Sequence, residues 1–264
     1  MTEDNFIFDG KQLSDFGYII AHDNILDEDI TVSNMQYTTI KGARSDTAHK
    51  VAAPYEDYYH ADIMIIKNPC AFENLDLTNN DISEMSKWLC RKEYKWFRWI
   101  DDIGQDEIWY EVQISVDKKV YGDSVIGLVL HINSNKPYAQ SQLYTYEWVG
   151  GLDNTTLFVH SDEEGYIYPN MTITVKGGGD VIITNHYEER STIIRNCANM
   201  EKFTIIGGDM MQISSSIAKH ELSKDYNYKF LRLCNRYGNA ENKLTISPNC
   251  NVTLSYRGIR KVGL

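Results

Sequence analysis

Residues 171–184 read Met171-Thr172-Ile173-Thr174-Val175-Lys176-Gly177-Gly178-Gly179-Asp180-Val181-Ile182-Ile183-Thr184. Two short runs rich in β-branched residues flank three consecutive glycines. That is the pattern of a strand, a turn free to take positive φ, and a second strand. The glycines precede a strand and not a helix, so they read as a hairpin turn rather than a phosphate-cradling loop. The same grammar repeats on both sides. Leu157-Phe158-Val159, Thr192-Ile193-Ile194, Phe203-Thr204-Ile205-Ile206, Met211-Gln212-Ile213 and residues 228–234, 242–246 and 252–256 all read as strands. Gly207-Gly208-Asp209, Tyr237-Gly238-Asn239 and Ser247-Pro248-Asn249 supply turns between them. Many short strands joined in this way specify a β-sandwich or jelly roll.

Working back toward the N-terminus, the polar cluster Asn133-Ser134-Asn135-Lys136-Pro137 closes an apolar strand at 125–132. It marks a boundary between residues 1–137 and 138–264. Phe6–Lys11 reads as a strand entering an Asp9-Gly10 turn, with Phe16–Ile20 as its partner. An acidic loop from Asp23 to Asp29 and a short strand, Ile30-Thr31-Val32, follow. Residues 41–54 show no apolar period and read as a long exposed loop, and residues 58–67 resume as a strand. One helix is expected over residues 81–91. Asp81 and Glu84 form its capping box, and Ile82, Met85, Trp88 and Leu89 make one apolar stripe that packs on a sheet. The aromatics Tyr94, Trp96, Phe97, Trp99, Trp109 and Tyr110 flank a turn at 100–104 and suggest a β-hairpin. The chain is therefore expected to be mainly β, with a barrel- or sandwich-like N-terminal domain bearing one helix and a C-terminal β-sandwich.

Composition excludes several function classes. The 264 residues are 42% hydrophobic and 24% charged, within the globular range. No window reaches the roughly 18 apolar residues of a membrane span. The acidic start, Met1-Thr2-Glu3-Asp4-Asn5, does not resemble a secretory signal, so synthesis in the cytoplasm is expected. Residues 1–135 carry 24 acidic and 12 basic side chains, and residues 136–264 carry 13 and 14. An acidic half argues against direct nucleic-acid binding. Five scattered cysteines suggest buried free thiols rather than a disulfide framework or a zinc site. Neither a nucleophile elbow nor a P-loop is present, and the seven histidines lack metal-ligand spacing. The carboxylate pairs Asp101-Asp102, Glu163-Glu164 and Glu188-Glu189 read as solvated charge. No enzyme, cofactor or metal site is expected. Exposed Trp148, Tyr166 and Tyr168 leave a carbohydrate-binding accessory as the alternative reading, although the galectin sugar-binding signature is absent.

The opening Phe6–Lys11 with Asp15-Phe16-Gly17-Tyr18, the run from Asp81 to Ala139 holding Trp88-Leu89, Asp101-Asp102 and Trp109-Tyr110, and the closing Leu244–Arg257 occur in a telling order. With these residues the chain resembles the distal tail proteins of long-tailed, siphovirus-type bacteriophages along nearly its whole length. The loop Lys41–Lys50 departs from the family's arginine-glycine turn. The resemblance implies an N-terminal domain that closes into a homo-hexameric ring and a galectin-like C-terminal sandwich. It places the ring at the tail tip of the virion, joining the tail tube protein to the tail-tip protein and docking receptor-binding components. DNA would pass through the lumen without being bound, and part of the acidic excess would line it. Arg44, His49 and Lys50 are then candidate intersubunit contacts against an acidic neighbour.

Overall fold

The computed structural model describes residues 5–21, 38–41, 47–52, 58–100, 108–208, 210–236 and 240–261. The acidic loop and short strand expected between Asp23 and Val32, and the turn at Asp101-Asp102, lie outside the described residues. The chain divides into two compact units, Met1–Gln140 with Lys261–Leu264, and Ser141–Arg260.

The strands of the first unit are β1 (Asn5–Phe8), β2 (Lys11–Gln12), β3 (Tyr18–Ala21), β4 (Thr38–Lys41), β5 (Ala48–Ala52), β6 (His60–Lys67), β7 (Lys95–Ile100), β8 (Ile108–Tyr121) and β9 (Ser124–Ser134). Helix α1 (Asn79–Leu89) stands between β6 and β7. An antiparallel sheet runs in the order β2-β1-β7-β8-β9-β6-β3, with β2 and β3 at its two ends. The described strands thus form an open sheet and not a closed barrel. Register sorts its faces. Phe8 lies opposite Phe97, Phe97 opposite Tyr110, Ile114 opposite Ile132, Leu128 opposite Ile65, and Ile65 opposite Ile20. All of these are buried, giving one continuous apolar face.

Helix α1 covers that face. Trp88 stacks on Phe6 and Phe16 with centroids at 5.8 and 4.4 Å, and its indole Nε1 donates to the Phe8 carbonyl at 3.0 Å. The helix begins earlier than the sequence suggested. Thr78 is the N-cap, accepting from the Asp81 amide at 3.2 Å, and Asp81 accepts from the Thr78 amide at 2.8 Å. Asp81 is the reciprocal partner three residues in, not the cap. Its carboxylate also meets the buried Lys67 ammonium at 2.8 Å. Burial pushes the Asp81 carboxyl up, but the hydrogen bonds from Lys67 and Thr78 outweigh it and hold the group below its ordinary value. The stability this provides is complete at neutral pH and is lost as pH falls through the depressed folded-state pKa.

Two other expectations in this unit need correcting. The hairpin partner of β1 is β2, and Asp9 and Gly10 both take positive φ in the turn between them. Tyr18–Ala21 pairs instead with β6 at the far end of the sheet, because the chain turns away through a 3-10 turn at Leu13–Phe16. Within residues 41–54, Ala48–Ala52 is a strand paired with Thr38–Lys41. That ribbon gives no periodic signal in sequence because it joins neither large sheet, and its Ile40 and Val51 are exposed.

The second unit begins within β10 (Ala139–Ser141) and contains β11 (Tyr144–Trp148), β12 (Leu152–Leu157), β13 (Gly165–Ile167), β14 (Asn170–Val175), β15 (Gly179–Asn185), β16 (Arg190–Cys197), β17 (Lys202–Ile206) and β18 (Gln212–Ser215). Helix α2 (Leu222–Asp225), β19 (Leu233–Asn235), β20 (Asn242–Ile246), β21 (Cys250–Tyr256) and β22 (Ile259–Arg260) complete it. A five-stranded sheet, β11-β21-β14-β17-β18, and a four-stranded sheet, β12-β20-β15-β16, share one core in which Ile173, Val175, Phe203, Leu244 and Leu254 are fully buried. This is the sandwich expected from the sequence.

The triple glycine, however, is not a hairpin. It carries the chain from β14 in one sheet to β15 in the other, with φ of 79, 76 and 95° at Gly177, Gly178 and Gly179. Asn199 accepts from the Gly177 amide and Asn249 donates to the Gly178 carbonyl, fixing the crossover from both sides. Residues 228–232 are not strand either. Together with Asn227 they lie along the outer edge of β16, where Asn227 bonds to Ser191 and Ile193 and Thr192 donates to the Lys229 carbonyl. An exposed sheet edge is thereby closed.

Thr78→Ala is expected to lower stability by about 1 kcal/mol, and Trp88→Phe by about 2–4 kcal/mol. Urea unfolding of both variants, followed by tryptophan fluorescence, checks both values.

Candidate assembly surfaces

The β4–β5 ribbon is the first surface. Thr39 lies opposite Lys50, Ile40 opposite His49 and Lys41 opposite Ala48. Ile40 and Val51 are 60% and 59% exposed, which is unusual for aliphatic side chains on so short an element. An isolated two-stranded ribbon is marginally stable in water, so apolar groups displayed on one suit a partner surface. Of the three expected contact residues, His49 and Lys50 lie next to each other on β5, and Arg44 lies outside the described residues.

The second surface is the solvent face of the large sheet. His131 on β9 sits between two carboxylates, with Nδ1 at 2.8 Å from Asp62 on β6 and Nε2 at 3.3 Å from Asp117 on β8. Hydrogen bonds to Asp62 and then Asp117 hold the imidazole above the ordinary histidine pKa. Sequence reading missed this trio. Its signal was the alternation along β8 and β9, which puts Asp117 and His131 on the face opposite Val116 and Leu130. The pairing with Asp62 is non-local. Beyond its short pairing with β7, β8 continues to a β8–β9 tip where Val120 and Tyr121 are 56% and 78% exposed.

The second unit holds two ionic clusters that the sequence did not suggest. Glu201 is almost fully buried, and its Oε1 meets His220 Nδ1 at 2.8 Å while Asp225 lies 3.4 Å from Nε2. Ser215 and the Ala198 amide also donate to Glu201. The Ser215 hydroxyl bonds to the carboxylate and not to the imidazole, so the group lacks the nucleophile–base contact of a hydrolase. Glu188 is no solvated charge. It forms a two-point ion pair with Arg232, leaving Glu189 in water. Trp148 and Tyr168 pack partly against the core, so of the three aromatics expected at the surface only Tyr166 is exposed, at 49%.

Among the described residues, no group of three or more His, Cys, Asp or Glu side chains is arranged to hold a metal ion. Cys197, Cys234 and Cys250 are buried, and burial pushes the Cys197 thiol up to about 12. Cys70 and Cys90 are exposed, contrary to the expectation of buried thiols, because they lie in the loops flanking α1. No described helix is long and apolar enough to cross a membrane.

These surfaces are suited to contact. Residues 1–136 match the model of the phage tail protein N-terminal domain, and residues 137–256 match that of the phage tail C-terminal domain. The chain belongs to this phage tail protein family. No curated protein sequence is recognisably similar to it. Several solved structures share its fold, two of which illustrate it. The crystal structure of the Dit protein of phage SPP1, described as a paradigm of the hub adsorption apparatus in phages infecting Gram-positive bacteria, aligns at a TM-score of 0.59 and 10% identity. The alignment covers 96% of this phage tail protein and 98% of that chain. A chain of the phage P2 baseplate, solved in its activated conformation with calcium, aligns at 0.54 and 7% identity over 96% and 97%. The phage tail protein therefore has the mainly β distal-tail fold along nearly its entire length.

Two outcomes are expected here. In an NMR titration His131 has a midpoint above about 6.5, and Asp62→Asn lowers it more than Asp117→Asn, since the Asp62 contact is the shorter. His220→Ala leaves the buried Glu201 carboxylate without one of its hydrogen-bonding partners and is expected to cost about 1–3 kcal/mol, read by thermal or urea unfolding.

Proposed function

We propose that this phage tail protein is a non-catalytic structural component of the tail tip. In this reading six copies form a hub ring that joins the tail tube protein to the tail-tip protein. The observation that carries it is the full-length likeness to SPP1 Dit in both units, coupled to tail-family matches that together span residues 1–256. A likeness confined to the sandwich would have fitted a receptor-binding accessory equally well.

The first unit supplies the ring in this scheme. Its acidic excess suits a channel through which DNA passes without adhering, because a carboxylate-lined wall repels phosphate. Asp62 and Asp117, on the solvent face of the sheet, are the described carboxylates assigned to that wall. The β4–β5 ribbon displays Ile40 and Val51 and, with Arg44, His49 and Lys50 as its basic residues in sequence, docks on an acidic neighbouring copy. The galectin-like sandwich projects outward and holds peripheral baseplate or receptor-binding proteins. The protein then resides in the virion tail.

Light scattering of the purified protein over a range of concentrations, with negative-stain imaging, tests the ring. A hexamer that grows in with concentration is expected, and the double charge reversal Arg44→Glu with Lys50→Glu is expected to abolish it. A strict monomer even when tube and tip proteins are supplied would sink the ring. Unchanged rings in the double variant would dispose of the ribbon contact alone.

A further inference from the structure

Strand β13 pairs with β19 in a two-stranded sheet of its own, which puts Tyr166 opposite Cys234. Arg232, immediately before β19, lays its guanidinium over the Tyr166 ring with Cζ 4.0 Å from the centroid. The same guanidinium donates from Nε and Nη2 to the two oxygens of Glu188, at 2.6 and 2.8 Å. The nearby Glu188 carboxylate holds the Tyr166 phenol above its ordinary pKa. The Arg232 fork in turn draws the Glu188 carboxyl below its own. A second pair stands beside the first. Arg236 lies 5.8 Å from the centroid of Tyr187, next in sequence to Glu188. With one ring face under the guanidinium, Tyr166 is still 49% exposed, so its other face is open to solvent.

A pyranose ring has an apolar C–H face bordered by hydroxyls that both donate and accept. The open Tyr166 ring supplies a flat apolar surface of matching size. Arg232 keeps N–H donors that its two bonds to Glu188 do not use, and Glu188 keeps acceptor lone pairs beside them. Ring, fork and carboxylate hold one another in place before any ligand arrives, which lowers the ordering cost of binding. Glu164, Glu188 and Glu189 are matched by Arg190, Arg232 and Arg236 around the two rings, so the site carries no net charge with which to recruit an ionic ligand.

We infer that Tyr166, Arg232 and Glu188 form a binding site for a neutral saccharide, extended by Tyr187 and Arg236. Tyr166 takes the sugar face, and the Arg232–Glu188 pair takes the hydroxyl rim. The site does not depend on the hub reading, since a monomer and a ring would both display it.

The test uses the full chain, titrated with cellohexaose, maltohexaose and chitohexaose by saturation-transfer NMR and calorimetry. At least one is expected to bind at low millimolar concentration or better. Tyr166→Ala should weaken it by about tenfold or more, while Tyr166→Phe, which keeps the ring, stays within about threefold. Tyr121→Ala, an exposed tyrosine of the first unit, should leave binding unchanged. If Tyr166→Ala does not fold by circular dichroism, Arg232→Lys is read in its place, since it keeps the charge and loses the fork. Failure of all three hexasaccharides to bind overturns the site, as does binding that survives Tyr166→Ala and Arg232→Lys. Loss of a tail-protein contact in Tyr166→Ala without saccharide binding also overturns it and gives the surface to protein docking. Ring formation, measured in the same variants, reports separately on the hub.

Discussion

A sheet with one apolar face is stable in water only when something covers that face, and in the first unit the cover described is a single eleven-residue helix. Trp88 makes this possible. It reaches from α1 across Phe6, Phe8 and Phe16 and satisfies its own polar edge on the Phe8 carbonyl, so the largest side chain in the core leaves no indole N–H unpaired. The helix must be held at a fixed height for the indole to land there. Thr78 and Asp81 fix its start, and the buried Lys67 ties that start to the end of β6. Fold and electrostatics meet at this point, because the ammonium that anchors the helix would be costly to bury without Asp81.

The second unit solves the same problem by facing one sheet with another, and this difference explains much of what could be read in advance. Strands such as 171–175, 203–206 and 252–256 alternate between core and solvent, and a period of two is visible in the residues alone. What the residues do not announce is the choice of partner. Gly177-Gly178-Gly179 has the chemistry of a tight turn whether the flanking strands pair with each other or part company. Only the positions of Asn199 and Asn249, distant in sequence, make it a crossover. The short strands β11 and β13 escaped because edge positions are only partly buried and carry little alternation. The helix was legible from its apolar stripe, but its N-cap was misplaced by three residues, Asp81 for Thr78, because Asp81 suits either end of a capping box.

The contact surfaces were less legible than the core, for a physical reason. A buried position demands an apolar residue, whereas a docking position tolerates many. His131 became notable only when β6 and β8 brought a carboxylate to each ring nitrogen. Glu188 looked like one of several solvated acids until Arg232 closed on it. Faces that meet other proteins leave only diffuse traces in a sequence, because many residues satisfy them.

The strand order of the sandwich carries a consequence for how the molecule is made. Its first strand, β11, pairs with its last, β21, and β12 pairs with β20. Neither sheet can therefore close while the chain is still emerging from the ribosome, because the pairing partners of its earliest segments are synthesised last. Loops of that span must close before their contacts reward them, which places folding in the slow, high-contact-order regime. Prematurely terminated chains lack β21, which joins β11 to β14 in the five-stranded sheet, and cannot complete the domain. A sandwich whose first and last strands must meet is complete only in polypeptides translated through Tyr256.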